Sequence, residues 1–212
     1  MHRAIINRIR LAAIAGCIAI GSLAVAGCGG GSSTTGVSGS PQVSATHYVA
    51  RLCGALADWQ STLNKEIASF GQALLPLEQV PGGSFKENKL GAAKNEIRKV
   101  YSQLATATQH AATEIKGIGT PDAPHGDQSA AKFSEKIDQI ATSMKGLEKK
   151  ANAVPTSSSK ALESALGSLG AYERQRFGQL ESQLGSALRT SGSPEIGRLM
   201  KQNPTCRSVA SR

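Results

Sequence analysis

After residue 44, apolar residues recur three or four positions apart in four long blocks, the spacing that places them on one face of an α-helix. The first block carries Tyr48, Leu52, Leu56, Trp59, Leu63, Ile67, Phe70 and Leu74, and the second carries Leu90, Ala93, Ile97, Val100, Leu104, Ala107, Ala111 and Ile115. The third carries Phe133, Ile137, Ile140, Met144, Leu147 and Ala151, and the fourth carries Leu162, Leu166, Leu169, Phe177, Leu180, Leu184 and Leu188. No stretch alternates with a period of two, so the pattern predicts helices and no sheet.

Turn-forming residues separate the four blocks. Pro76 and residues 81–83 end the first block, residues 117–126 end the second, and Pro155 closes the third. The expected helix caps are Ser84 with Glu87 as a capping box, Asp127, and Ser193 ahead of Pro194, and the fourth helix is expected to begin near residues 157–159. A short helical turn after Ser193 then leads to Cys206.

Four helices of about 25–33 residues with short connections predict an all-α fold, an antiparallel up-down four-helix bundle over residues 45–212 with a short C-terminal helical turn. Residues 28–44 precede this domain and are rich in Gly, Ser and Thr, a composition typical of a flexible, disordered tether. Residues 29–44 would span roughly 20–24 Å on average and at most about 55 Å when stretched.

An export leader is expected over residues 1–27. It has a basic start, an apolar run from Leu11 to Ile20, and a small-residue end from Ser22 to Gly27. The sequence from Leu23 to Cys28 has the form of a bacterial lipobox, in which the cysteine becomes the lipidated N-terminus after cleavage. Cys28 is therefore the predicted lipidation site, and the lipid would anchor the protein at the extracytoplasmic face of the cell membrane.

Two alternatives to cleavage before Cys28 stay open. The leader could be retained as a signal anchor, although its apolar run is short for a spanning helix. Cys17 also follows a lipobox-like sequence that begins at Ile14, but cleavage there would leave an apolar run of only about six residues.

The charge of the chain is moderately basic. Removal of three arginines with the leader lowers the formal net charge from +9 to +6. Two segments concentrate basic residues: Lys86, Lys89, Lys94, Arg98 and Lys99 in one, and Lys145, Lys149 and Lys150 in the other. Solvated helix faces are the simpler interpretation, and contact with anionic lipid headgroups or envelope polymers is the alternative. No nucleic acid is expected as a partner, because no aromatic residues are interleaved with the basic ones.

The number and positions of the cysteines are consistent with an exported protein. Cys17 leaves with the leader and Cys28 is acylated, so Cys53 and Cys206 are the two that remain. An oxidising compartment favours a disulfide between them, and an even number of long helices brings their ends of the bundle together. Two free thiols are the alternative.

The mature sequence offers little catalytic chemistry. His47, His110 and His125 have no histidine or cysteine at the spacing of a helical metal site, and His110 with Glu114 is most simply a solvated polar pair. Nucleophile elbows and phosphate-binding glycine loops are absent from the sequence. We therefore expect no enzyme, no catalytic residues, no metal and no cofactor. Residues 117–126 are a helix connector or a recognition loop, and Trp59 is expected in the core.

Three short motifs carry a resemblance to a known group. Cys53 precedes Trp59 on the first helix, the sequence Gly-Thr-Pro-Asp occupies residues 119–122, and Ser-Pro-Glu at residues 193–195 precedes Cys206. In these features the chain resembles small actinobacterial exported α-helical proteins and lipoproteins. The resemblance implies a helical envelope protein of unknown biochemical role, and it assigns no catalytic residue.

These features predict a membrane-anchored, non-enzymatic binding or interaction module of the cell envelope, with an envelope protein, an anionic lipid or a surface polymer as its partner. The alternative is a carrier of an apolar or lipid-like ligand, because small core residues could leave room between the helices. Those residues are Ala93, Ala107, Ala111 and Ala151. A continuous apolar cavity would favour the carrier, and a solid core would favour the interaction module.

Overall fold

The computed structural model describes residues 41–79, 84–189 and 193–210. Over these ranges the chain is mostly helical. The helices are α1 (Ala45–Leu74), α2 (Leu90–Lys116), α3 (Gly126–Asn152), α4 (Ser159–Arg189), α5 (Pro194–Gln202) and α6 (Pro204–Ala210). Two short strands, β1 (Gln42–Ser44) and β2 (Thr120–Asp122), and two 3₁₀ turns, Leu75–Leu77 and Glu87–Lys89, complete the described elements. The all-α prediction is confirmed, and α1–α4 have 30, 27, 27 and 31 residues.

The strand pair differs from the sequence prediction, which contained no sheet and placed residues 28–44 in the tether. β1 pairs with β2 in parallel, with Val43 opposite Pro121, and the Thr120 amide donates to the Pro41 carbonyl at 3.0 Å. Val43 is half-buried against the core. The folded domain therefore begins by residue 41, ahead of the predicted boundary. Residues 28–40 of the predicted tether lie outside the described residues.

One group of buried side chains, which we call the proximal core, lies beside β1. It joins the first half of α1, the end of α2, the first half of α3, and both short helices. Its largest fully buried side chains include Tyr48, Leu52, Phe133, Ile137 and Ile196. Burial raises the pKa of Tyr48 to about 12. The first and last described elements, β1 and α6, therefore pack into the same half of the described domain.

A second group, the distal core, occupies the other half. It joins the end of α1, the first half of α2, the end of α3 and the first half of α4. Ile97, Leu147 and Leu162 are fully buried there, and Leu63, Ile67 and Phe70 of α1 are half-buried against it. The predicted stripe of α1 is thus continuous, but its second half is less deeply covered than its first.

The caps of the helices are partly as predicted. The Ser193 hydroxyl accepts from the Ile196 amide, with Pro194 in the first turn, as expected. Ser84 does not cap α2, which begins at Leu90 after a 3₁₀ turn and has no side-chain cap. Asp127 lies inside α3, whose N-cap is His125 in the left-handed conformation (φ 58°). The predicted capping-box residue Glu87 instead accepts from the Ser159 amide at 3.0 Å, at the start of α4.

The hydrogen bond between the Glu87 carboxylate, just before α2, and the Ser159 amide, at the start of α4, predicts that Glu87→Ala is less stable than the wild type. The variant leaves the Ser159 amide without its acceptor and should lower the free energy of unfolding by about 1 kcal/mol, the usual value of a helix cap. Urea unfolding followed by circular dichroism measures this change. Glu87→Gln is the matched control, because it keeps an oxygen acceptor and should recover most of the loss. Equal stability of wild type and Glu87→Ala would contradict the cap.

Candidate functional site

The predicted site residues separate into two groups. Cys28, the predicted lipidation site, lies outside the described residues. Cys53 and Cys206 form a disulfide, as predicted, with their Cα atoms 5.0 Å apart. Both cysteines are buried in the proximal core. The disulfide therefore joins α1, which directly follows β1, to the C-terminal helix α6.

The helix that carries Cys206 was not predicted from the sequence. Pro204 begins α6, and the Asn203 side chain accepts from the amides of Thr205 and Cys206 at 2.9 and 3.1 Å. An Asn-Pro pair at a helix start is a recognisable capping signal, so the sequence did contain this information. The cap positions Cys206 toward α1.

Trp59, expected in the core, lies at its margin. The side chain is partly buried, and its indole Nε1 donates to the Thr108 hydroxyl at 3.1 Å. Thr108 is completely buried and donates in turn to the Leu104 carbonyl at 2.7 Å. The tryptophan thus makes a specific polar contact between α1 and α2 in addition to its packing.

The loop over residues 117–126 holds the start of the domain. Residues 120–122 of the loop form β2, and Gly119 has a φ of 97°, which brings its backbone against the Pro41 carbonyl. Gly126 lies equally close to the Pro121 carbonyl, where a Cβ atom would overlap the oxygen. The loop is therefore more than a helix connector, since Gly119 allows the close approach to Pro41 that holds β1, and Gly126 allows the loop to fold back on Pro121.

The two basic segments of the sequence meet in the distal half. The first half of α2 lies beside the end of α3, and the Arg98 Nε donates to the Asn152 side chain at 2.8 Å. A solvent-open groove of about 330 Å³ runs between the two helices. Its lining residues are Asn95, Arg98, Lys99, Ser102, Glu148 and Asn152. We call this feature the α2–α3 groove.

Further lysines border the α2–α3 groove. Lys94 precedes the lining residue Arg98 by four positions. Lys145 precedes Glu148 by three positions, and Lys149 precedes Asn152 by three, so all three lysines lie beside the faces that form the groove. Within the described ranges, Lys94, Lys99, Lys145 and Lys149 make no ion pair or side-chain hydrogen bond. Glu148 is the acidic residue of the lining. The groove therefore concentrates positive charge that the surrounding protein does not neutralise.

Charge in the proximal half is balanced by contrast. Its described basic residues are Arg51, Lys116, Lys132, Lys136, Arg198, Lys201 and Arg207, and its acidic residues are Asp58, Glu114, Asp122, Asp127, Glu135, Asp138 and Glu195. Some of them are paired directly, such as Lys116 Nζ with Asp138 Oδ2 at 2.6 Å. The net positive charge of the described domain therefore lies in the distal half.

α4 adds an aromatic and an acidic group beside the distal core. The Lys150 ammonium lies 4.6 Å and the Arg176 guanidinium 5.7 Å from the centre of the Tyr172 ring, both in cation–π geometry. The Tyr101 hydroxyl donates to Glu173 at 3.4 Å. Burial raises the pKa of Glu173, while the hydrogen bond from Tyr101 and the charge of Arg174 oppose that shift. Burial is also the main cause of the raised pKa of Tyr101.

The remaining candidate chemistry is not assembled. His110 Nδ1 lies 4.0 Å from Glu114 and is largely exposed, the solvated pair expected from the sequence. Over the described ranges, His, Cys, Asp and Glu side chains form no group of three or more that could hold a metal ion. None of the helices that the structure describes is both long and apolar enough to cross a membrane.

Comparison with known proteins adds no assignment. The chain matches no protein-family model, and no curated protein or solved structure is significantly similar to it. The α2–α3 groove is therefore the candidate site on geometry alone. Both basic segments are recognisable in the sequence, where the simpler interpretation is two separate solvated helix faces. The sequence feature that could have predicted their proximity is the loop at residues 117–126. This loop joins α2 and α3 into a helical hairpin and so places the start of α2 beside the end of α3.

Proposed function

We propose that this protein is a membrane-anchored extracytoplasmic lipoprotein that acts as a non-enzymatic binding or interaction module of the cell envelope. The observation that carries the proposal is the sequence from Leu23 to Cys28, an aliphatic–small–small–cysteine run that directly follows an apolar leader. The resemblance to small actinobacterial exported lipoproteins supports the same location. The membrane, through the lipid on Cys28, is the first partner.

The arrangement of the domain supports a tethered module. We propose that α1–α4 form an antiparallel up-down four-helix bundle, because the start of α1, the end of α2 and the start of α3 share the proximal core. Residues 29–40 would then be the tether. Twelve residues reach at most about 40 Å when extended, so the domain would stay close to the membrane surface.

The position of the tether favours binding over a purely structural role. The tether would leave the domain at β1, in the proximal half, while the α2–α3 groove lies in the distal half. α1 runs through both halves and has 30 residues, which corresponds to about 45 Å. An anchor at one end would therefore leave the groove at the other end open to partners.

The α2–α3 groove does not support the alternative function, a carrier of an apolar or lipid-like ligand. Its lining consists of polar and charged side chains. Of the four alanines that could have left room for a ligand, Ala93, Ala111 and Ala151 are each at most 2% exposed, and Ala107 is half-buried. They allow close approach of neighbouring helices, which is the other use of small residues at helix interfaces.

The anchor predicts the outcome of Cys28→Ala. This variant lacks the thiol that carries the diacylglycerol, so radiolabelled fatty acid should not be incorporated and the leader should remain uncleaved. Labelling of cells, followed by capture of the protein and mass measurement, reports both. Cys17→Ala is the matched control, and it should be labelled and cleaved like the wild type. Undiminished label in Cys28→Ala would overturn the lipidation site.

A further inference from the structure

We infer that the α2–α3 groove binds a segment of an anionic polysaccharide of the cell envelope, a sugar polymer that bears carboxylate or phosphate groups. This inference rests on the proposed function and specifies its partner. The groove brings together two basic segments that are 46 or more positions apart in the chain, and its walls combine cationic groups with uncharged hydrogen-bonding groups.

Charge complementarity is the first argument. Arg98 and Lys99 line the groove, and Lys94, Lys145 and Lys149 border it, while Glu148 alone among the lining residues opposes them. Lys99 and Lys149 are exposed and make no ion pair or hydrogen bond within the described part of the chain. Unneutralised cations along a cleft attract an anionic chain, because the low-dielectric walls focus the field into the cleft.

The uncharged lining is the second argument. Asn95, Ser102 and Asn152 place amide and hydroxyl groups between the cations. Sugar hydroxyls both donate and accept hydrogen bonds, and amides and hydroxyls do the same, so these side chains can pair with the neutral part of a sugar ring. A volume of about 330 Å³ is at the lower end of the range for small-molecule sites and suits a short saccharide stretch.

The shape of the site favours a polymer over a lipid surface. Asn95, Ser102 and Asn152 are exposed and line an open groove between two helices. Headgroup binding by a basic surface needs charge but no such line of uncharged hydrogen-bonding groups. An extended sugar chain can lie along the groove, pair its hydroxyls with these side chains and place its anionic groups on the neighbouring lysines.

Titration of the full-length lipidated protein, held in nonionic detergent, with alginate oligosaccharides tests the inference by calorimetry. Alginate is a polymer of uronic acids and serves as the probe. We expect binding that weakens with added salt, and no binding of neutral dextran. Lys99→Gln/Lys149→Gln should bind about 30-fold more weakly, because each lysine near an anionic surface contributes about a fivefold factor. Glu148→Gln should bind more tightly, by about fivefold.

A charge-matched control separates the groove from the net charge. Arg51→Gln/Lys201→Gln removes two exposed cations from the proximal half and should bind alginate like the wild type. Asn95→Ala/Ser102→Ala leaves the charge unchanged and should still weaken binding severalfold. Circular dichroism of each variant confirms that it folds.

Three results would overturn the inference. They are no alginate binding, equal weakening in Arg51→Gln/Lys201→Gln, and displacement of alginate by phosphatidylglycerol mixed into the detergent micelles, with no effect of Asn95→Ala/Ser102→Ala. The last result would identify an anionic membrane surface as the partner. None of the three affects the proposed lipoprotein anchor, which stands or falls on labelling at Cys28.

Discussion

Replacing both bonded cysteines in Cys53→Ala/Cys206→Ala should lower the free energy of unfolding by about 2–5 kcal/mol. The bonded residues are 153 positions apart, so the disulfide restricts almost the whole domain in the unfolded state. The chain-entropy model assigns about 5 kcal/mol to a loop of this length, and measured values are commonly lower. For a domain of this size the melting temperature should fall by roughly 5–15 °C.

Thiol titration and thermal unfolding decide this prediction together. The unreduced folded domain, which holds Cys53 and Cys206 but neither Cys17 nor Cys28, should show no free thiol after denaturation, and a reductant should lower its melting temperature. Cys53→Ala/Cys206→Ala serves as the control for other effects of the reductant. The reductant should leave the melting temperature of this variant unchanged, because the variant has no disulfide to reduce. Two free thiols per chain in the unreduced, denatured domain would contradict the disulfide.

The loss should begin at the C-terminal helices. α5 and α6 have only 9 and 7 residues, too few for stable helices on their own. They pack on α1 through Ile196, Met200 and the disulfide. Hydrogen exchange in the reduced protein should therefore accelerate in α5 and α6 before it accelerates in α2 or α3. Uniform acceleration across all helices would show instead that the tail unfolds only with the whole domain.

The long helices could be predicted because each depends on a local pattern. The three- and four-residue steps of α1 end at Leu74, and the helix ends there too. Ser193 and Pro194 signal the start of α5 in the same local way. The disulfide followed from elimination among four cysteines and from the parity of the helix count, both of which are properties of the sequence.

The unpredicted features depend on partners far away in the chain. Glu87 has the spacing of a capping box for α2, but its carboxylate reaches the Ser159 amide, 72 positions away. β1 is three residues long and pairs with a strand that contains a proline, so neither strand shows a period of two. The stability of both features comes from tertiary contacts, which local propensity does not encode.

The α2–α3 groove could be predicted only in part. Its basic residues are recognisable in the sequence, and the helices that carry them were predicted correctly. The contact between Arg98 and Asn152 required the pairing of α2 with α3, which the short loop at residues 117–126 already implied. To predict that Asn95 and Ser102 line the groove, one needs to know which face of α2 turns toward α3, as well as that the two helices pair. Only the structure gives this orientation.

Gly119→Ala should lower the free energy of unfolding by about 2–4 kcal/mol and release β1. Gly119 has a φ of 97°, a region that costs other residues roughly 1–3 kcal/mol. A Cβ atom there would also overlap the Pro41 carbonyl oxygen, which accepts the Thr120 amide. The backbone must shift to admit the methyl group, and the shift breaks the contact that holds β1 to β2. Hydrogen exchange at the Thr120 amide and thermal unfolding measure the two effects.

Gly117→Ala is the matched control in the same loop. Gly117 has a φ of −75°, and a Cβ atom there would meet only carbonyl oxygens at 3.4 Å, an ordinary contact distance. This substitution should change the free energy of unfolding by no more than about 0.5 kcal/mol. Equal stabilities of the two variants would show that the approach of Gly119 to Pro41 is not needed by the domain. A loss confined to Gly119→Ala, with faster exchange at the Thr120 amide, would instead show that the close approach of Gly119 to Pro41 holds β1 to the domain.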